Sequence, residues 1–436
     1  MSAGKTGSRR GQREEGGNVG GRSVGCTTLL LAVLFASGCG SQEDGSGPYA
    51  RRVAREIPRI ERATGLSFKT PPNVEQRTRE EVRRFLEQRF AEDLPPEELS
   101  GMERVYKRFG LLPANMDLRQ FMLDLLTEQV AGYYDPKTKV LYVVEGSDEA
   151  IVGVTIAHEL VHALQDQYFD LDSLQRARDD NDRAMAAQAV IEGQATLEQI
   201  ASMLGSENVV AALPGGWERV RQMIRESQVG MPVFASAPLI LQETLLFPYL
   251  SGAEFMRRYK QAFPDRPPFD RMPTSTEQIM HDDRYFESRD EPVAIVFPPL
   301  LRGKVAYQNN LGEFETRLLL FEYLQDQSAA VRGAAGWDGD RYALVDLPAG
   351  EALVWVSVWD NAVDGAEFFD LLGRGLERRY GQPRAGTGER RNFQARGREY
   401  YVQIAELAGR TVVYYADVPE GTSPRIVELS RVTLRQ

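Results

Sequence analysis

Thr155-Ile156-Ala157-His158-Glu159-Leu160-Val161-His162-Ala163-Leu164-Gln165-Asp166-Gln167 is the stretch from which the rest of the chain can be read. Residues four apart share one face of a helix, so the imidazoles of His158 and His162 can grip a single metal ion. Glu159, beside the first of them, can reach a water in an open coordination position and accept its proton. No charge interrupts the flanks of the motif. The apolar positions Ile151, Val154, Leu160, Val161 and Leu164 keep helical spacing without a proline, which predicts a helix over Asp148–Tyr168.

A tetrahedral catalytic ion needs a third protein ligand. Ile191-Glu192-Gly193-Gln194-Ala195, on a helix expected from Arg183 to Leu204, offers Glu192, and Gly193 is expected to let that helix approach the metal helix closely. Glu198, Asp170 and His281 compete for the same place. The choice is narrow because His158, His162 and His281 are the three histidines, and Cys26 and Cys39 both stand near the N-terminus. No cysteine framework and no Cys-based zinc site can be built from that pair. Asp166, one turn beyond His162, can orient a ligand by a hydrogen bond or stand as a solvated carboxylate.

His158-Glu159-Leu160-Val161-His162 with Glu192 resembles the gluzincin class of zinc metallopeptidases, and HELVHALQDQ is similar to the thermolysin-type motif helix, which also carries an Asp four residues past its second His. The metzincin pattern does not fit, because Gln165 stands at its glycine and Tyr168 at its third histidine. HELVHALQDQ followed by an EGxA-type helix and a PTSTEQ segment also resembles bacterial metallopeptidase-like proteins. The match covers roughly Lys139–Gly205. It implies one Zn2+ per chain held by His158, His162 and Glu192, with Glu159 as general base. Members of the class also place a His or Tyr to donate a hydrogen bond to the tetrahedral oxyanion. His281 is the expected donor here, with Tyr249 and Tyr285 as alternatives.

Around the motif the chain divides. Thr78 and Glu81 have capping-box spacing before Val82–Phe90, and further helices are expected over Pro96–Phe109 and Asp117–Val130. Ala131–Tyr134 and Lys139–Val144 flank Asp135-Pro136-Lys137-Thr138 and predict a hairpin, the edge along which an extended peptide can add as a strand. Thr274 and Glu277 suggest a capped short helix leading to His281. Later, Tyr342–Leu347, Glu351–Trp359, Glu399–Glu406 and Arg410–Val418 read as strands, Asp364–Tyr380 as a helix, and Gly381–Gly388 as a mobile connector. The fold class expected is α+β: a mainly helical zincin-like domain over 51–290 with a small edge hairpin, then a smaller α+β domain over 291–436.

The N-terminus reads as an address. Lys5, Arg9, Arg10, Arg13 and Arg22 precede an apolar run from Leu29 to Ala36, too short for a permanent membrane span. Ala36-Ser37-Gly38-Cys39 resembles the lipobox of bacterial lipoproteins, which implies a signal peptide over 1–38, lipidation of Cys39 and a flexible tether over 39–50. An extracytoplasmic, lipid-anchored protein of the bacterial cell envelope is expected, and Gly40 after the cysteine leans toward the outer membrane. The net charge of −11 argues against a general nucleic-acid binder. The function expected is a membrane-anchored zinc metallopeptidase, an endopeptidase acting on peptide or protein substrates. The competing expectation is a non-enzymatic envelope lipoprotein with a structural metal and a partner-binding C-terminal domain.

Overall fold

The computed structural model describes residues 49–93, 96–169, 171, 179–204, 222 and 231–435. The leader, lipobox and tether, and Asp170, lie outside the described residues. Helix α1 (Ala50–Thr64) opens the described chain, and strand β1 (Asn73–Arg77) follows it. The capping box then forms as its spacing predicts. Thr78 N–H donates to Glu81 Oε2 at 2.8 Å, and Glu81 N–H returns to Thr78 Oγ1 at 3.2 Å, starting α2 (Arg79–Asp93). Helix α3 spans Pro96–Phe109 and stops at Gly110, whose φ of 71° suits a glycine. Asp117 caps α4 (Leu118–Gln129) by accepting from Gln120 N–H.

Strands β2 (Gly132–Asp135) and β3 (Val140–Val144) form the antiparallel hairpin. β1 pairs in parallel with β3, so the small sheet has the order β1-β3-β2 and β2 is an edge. β1 is a strand within the segment 51–130 that reads from sequence as mostly helical: its five residues are mostly polar and exposed, and pairing with distant β3 makes them a strand. Helix α5 (Glu149–Tyr168) lies on this sheet. Val152, Ile156, Leu160, Val161 and Leu164 pack with Leu141 and Val143 of β3 and with Val53 and Ile60 of α1. Truncating one such buried leucine to alanine costs about 2–5 kcal/mol.

Helix α6 (Asn181–Leu204) lies against α5 and more extensively against α7 (Leu239–Ala262). The reason for Gly193 differs from the expected one. A Cβ there would stand 2.2 Å from the backbone carbon of Gly252, so this glycine seats α6 against α7 rather than against the metal helix. Helix α8 (Thr276–Met280) is capped by Ser275, whose Oγ accepts from Gln278 N–H at 3.2 Å, where the sequence suggested Thr274.

The C-terminal part is a seven-stranded sheet of order β5-β6-β7-β11-β10-β9-β8, with helices α9 (Gly312–Leu324), α10 (Gln327–Ala334) and α11 (Ala362–Tyr380). Strand β4 (Ala294–Val296) precedes the sheet, whose strands are β5 (Lys304–Asn309), β6 (Trp337–Leu347), β7 (Gly350–Trp359), β8 (Ala385–Thr387), β9 (Arg390–Ala395), β10 (Arg398–Leu407) and β11 (Arg410–Pro419). β8 lies inside the segment read from sequence as a connector. One face packs Trp355, Trp359 and Tyr415 toward Phe368, while Val354, Val356 and Val358 on the other face meet Val293, Ile295, Ile426 and Val427. Burial on both faces explains why β7 reads as a nearly continuous apolar run.

The architecture is α+β, as expected. The boundary at 290/291, however, is no break in the core. Phe109 of α3 meets Trp355 at 5.4 Å between ring centroids and Tyr415 at 5.9 Å, and Tyr106 donates to Glu315 of α9 at 2.7 Å. One apolar cluster runs from Val82 to Tyr415. Among the described residues no helix is long and apolar enough to cross a membrane.

Candidate metal centre

Helical spacing on α5 does what it predicts. The His158 and His162 rings lie 4.7 Å apart between centroids, and both Nε2 atoms face the same oxygen of Glu192 on α6. His158 Nε2 is 3.1 Å from Glu192 Oε2, and His162 Nε2 is 3.4 Å from it. Glu192 Oε1 accepts from Gln188 Nε2 at 2.8 Å, which aims the other oxygen at the histidines. All four of His158, Glu159, His162 and Glu192 are at most 1% exposed.

The outer nitrogens are held by glutamines. His158 Nδ1 lies 3.0 Å from Gln199 Oε1, and His162 Nδ1 lies 2.9 Å from Gln165 Oε1. Gln165 Nε2 donates to Ile191 O at 3.1 Å and to Gln194 Oε1 at 2.9 Å. With its nitrogen committed to two acceptors, its oxygen must face His162, so Nδ1 is the protonated nitrogen. His162 Nε2 then faces a carboxylate oxygen, and among the described residues it has no hydrogen-bond partner. With His162 neutral, two facing lone pairs in a buried space favour a cation between them, a proton or a metal ion.

A divalent ion fits that space. Zinc–ligand bonds of 2.0–2.1 Å in a tetrahedron put neighbouring ligand atoms about 3.3 Å apart, and the two contacts to Glu192 bracket that length at 3.1 and 3.4 Å. The charges agree. Burial opposes charging of His162, yet Glu192 outweighs it and lifts its pKa to about 9. Burial would raise Glu192, but the His162 charge and the imidazole contacts bring it to about 2. Burial holds His158 below histidine's usual value. The protein's own groups thus favour one positive charge at this spot.

Glu159 Oε2 accepts the backbone N–H of Tyr134 at 2.6 Å, and Glu159 Oε1 is buried with no hydrogen-bond partner among the described residues. Burial pushes its pKa up to about 8. Tyr134 belongs to the edge strand β2, so the hairpin expected from sequence also clamps this carboxylate. Asp166 serves the hairpin as well. It accepts from the Tyr134 hydroxyl at 2.8 Å and pairs with Lys139 at 2.6 Å, while Gln165 takes the ligand-orienting place considered for it.

The other candidates go elsewhere. His281 Nε2 lies 2.8 and 2.9 Å from the two oxygens of Glu313, apart from the cluster. Glu198 pairs with Lys260. The Tyr285 hydroxyl donates to Arg271 O. Tyr249 does reach the centre, with its ring stacked on His158 at 6.0 Å. Sequence reasoning missed Gln165, Gln188 and Gln199. Gln165 and Gln199 lie one helical turn from a ligand on its own helix or two turns along the facing one, a spacing the sequence does contain.

Residues 300–427 match a family model described as a domain of unknown function, DUF8575; they contain β5 through β11 and none of the four clustered residues. No curated protein matches the chain. One solved structure, "Crystal structure of a putative hydrolase with a novel fold from Chloroflexus aurantiacus", aligns at 20% identity over 55% of this chain and 87% of that chain, with a TM-score of 0.33.

Proposed function

We propose that this chain is a zinc metallopeptidase, exported and held to the bacterial envelope by a lipid on Cys39. The observation that carries the catalytic part is the convergence of His158, His162 and Glu192 on one point beside a clamped carboxylate with an unpartnered oxygen. The anchor rests on the leader and the Ala36-Ser37-Gly38-Cys39 motif.

His158, His162 and Glu192 would hold the zinc, which supplies Lewis acidity toward a peptide carbonyl and acidifies a water. Glu159 acts at the water. Tyr134 N–H fixes Oε2, and Oε1 is left to take the proton and pass it to the leaving amine. Its raised pKa reflects the metal-free pocket, and a nearby dication favours the carboxylate form that a general base needs. Glu192 and Glu159, both buried, would together balance the two charges of the ion.

A second reading has its own support. The complete burial of all four groups also suits a closed structural site, with Glu159 as fourth ligand through Oε1. Glu159→Gln separates the two. As general base, its loss lowers kcat for peptide cleavage by about 10²–10⁴-fold and leaves the zinc content of the purified protein unchanged. As a ligand, its loss strips the metal. Full peptidase activity in Glu159→Gln would refute the base assignment.

A further inference from the structure

The metal reading leaves open what fixes the spacing of the two ligand-bearing helices and the tautomer of His162. Resting on that reading, we propose that one side chain does both: Gln165 is the positioning residue of the metal centre. Its oxygen holds His162 with the Nε2 lone pair toward the metal, and its nitrogen ties α5 to the turn of α6 that carries Glu192.

Three bonds support this. Gln165 Oε1 meets His162 Nδ1 at 2.9 Å, while Nε2 donates to Ile191 O at 3.1 Å and Gln194 Oε1 at 2.9 Å. Ile191 directly precedes Glu192, so the tie lands next to the ligand it places. The side chain is 1% exposed, and water cannot readily stand in for the lost partners. The amide also suits the site's charge: it accepts from the imidazole without adding a third buried carboxylate beside Glu159 and Glu192.

Gln199 gives an internal contrast. It meets His158 Nδ1 at 3.0 Å, but among the described residues its own Nε2 has no hydrogen-bond partner. It orients one ring without bridging to a second ligand. Removing Gln165 therefore loses its hold on the ring and two bonds across the helices, whereas removing Gln199 loses one bond, that to the His158 ring.

The test is the zinc Kd of the full chain, by chelator competition, with the visible spectrum of the cobalt(II) form as a second readout. Gln165→Met keeps the volume and removes all three bonds. It should weaken zinc about 10–100-fold and alter the cobalt spectrum, while Gln199→Met weakens it less. Gln165→Glu keeps an acceptor for Nδ1 and should recover more of the affinity than Gln165→Met. Leu164→Ala, a core change on the same turn, should lower Tm with an unchanged Kd for the folded protein. An unaltered Kd in Gln165→Met, or a loss in Leu164→Ala as large as in Gln165→Met, overturns the proposal. Failure of the unaltered chain to bind zinc overturns the metal reading itself, and this inference with it.

Discussion

Two groups of side chains in the described part of the molecule bring three potential metal-ligand atoms together: His158, Glu159 and His162 in one, Glu277, Asp290 and Asp360 in the other. Proximity does not distinguish them; the source of positive charge does. In the acidic group Arg284 is already in place. Its guanidinium pairs with Asp290 and Asp360 and lies 3.8 Å from Glu277. Burial, followed by the neighbouring Glu313, pushes Glu277 up to about 10, so that acid is neutral near pH 7. Among the described residues, no lysine or arginine pairs with the histidine group. Its donor atoms converge, and among the described residues His162 Nε2 and Glu159 Oε1 have no hydrogen-bond partner. A built-in arginine makes the acidic group a structural knot, and converging donors without one make the histidine group the candidate for a metal.

The largest effect that tests this contrast is metal linkage. A ligand that binds only the folded state stabilises it by about 2.7 kcal/mol at a hundredfold excess over Kd. Zinc should raise Tm and a chelator should lower it, and both responses should vanish in His162→Ala. A response that survives in His162→Ala would move the metal to another site. Next comes Arg284→Met, which leaves the acidic group without its cation. The Arg284 side chain is 29% exposed, so solvent screens part of the loss. A destabilisation of about 1–2 kcal/mol in denaturant unfolding is expected, less than for a fully buried pair, with zinc affinity unchanged. An unaltered midpoint would show that Arg284 does not balance the group.

The contrast also separates what the sequence could reveal from what it could not. His158, Glu159 and His162 were legible because one helical turn fixes their relation, and the Thr78–Glu81 cap and the limits of α3 are equally local. Glu192 was legible as chemistry, but the reason for its neighbour was not. Gly193 announces a close approach, and a one-dimensional reading cannot say that the partner is Gly252 rather than the metal helix. Asp166 shares α5 with the ligands, yet its carboxylate turns to Tyr134 and Lys139 of the hairpin. β1 and the core shared through Phe109 depend on contacts between distant parts of the chain, which leave little local pattern. Glutamine carries no reactive group, so Gln165 and Gln199 stand out only when their partners are known.

His281 gives the smallest and sharpest test, because sequence and structure assign it different work. As an oxyanion donor, its loss would cost kcat about 10²–10³-fold. The structure instead gives its Nε2 to Glu313, and its helix α8 is stitched into the surrounding fold: Thr276 hydrogen-bonds Asp182 at the start of α6 and accepts from Phe314 N–H of α9. Hydrogen bonding to Glu313 raises the His281 pKa above its ordinary 6.5, with burial acting against it. The linkage sign follows. A histidine whose pKa is higher in the folded state adds stability that is complete below the unfolded value and fades as pH rises through the folded one. His281→Gln should therefore destabilise the protein most below pH 6.5, with the gap to the unaltered chain closing as pH increases, and kcat should stay within about threefold, far short of a lost oxyanion donor. A gap that does not change with pH would remove the ion pair, and a hundredfold fall in kcat would return His281 to the reacting atoms.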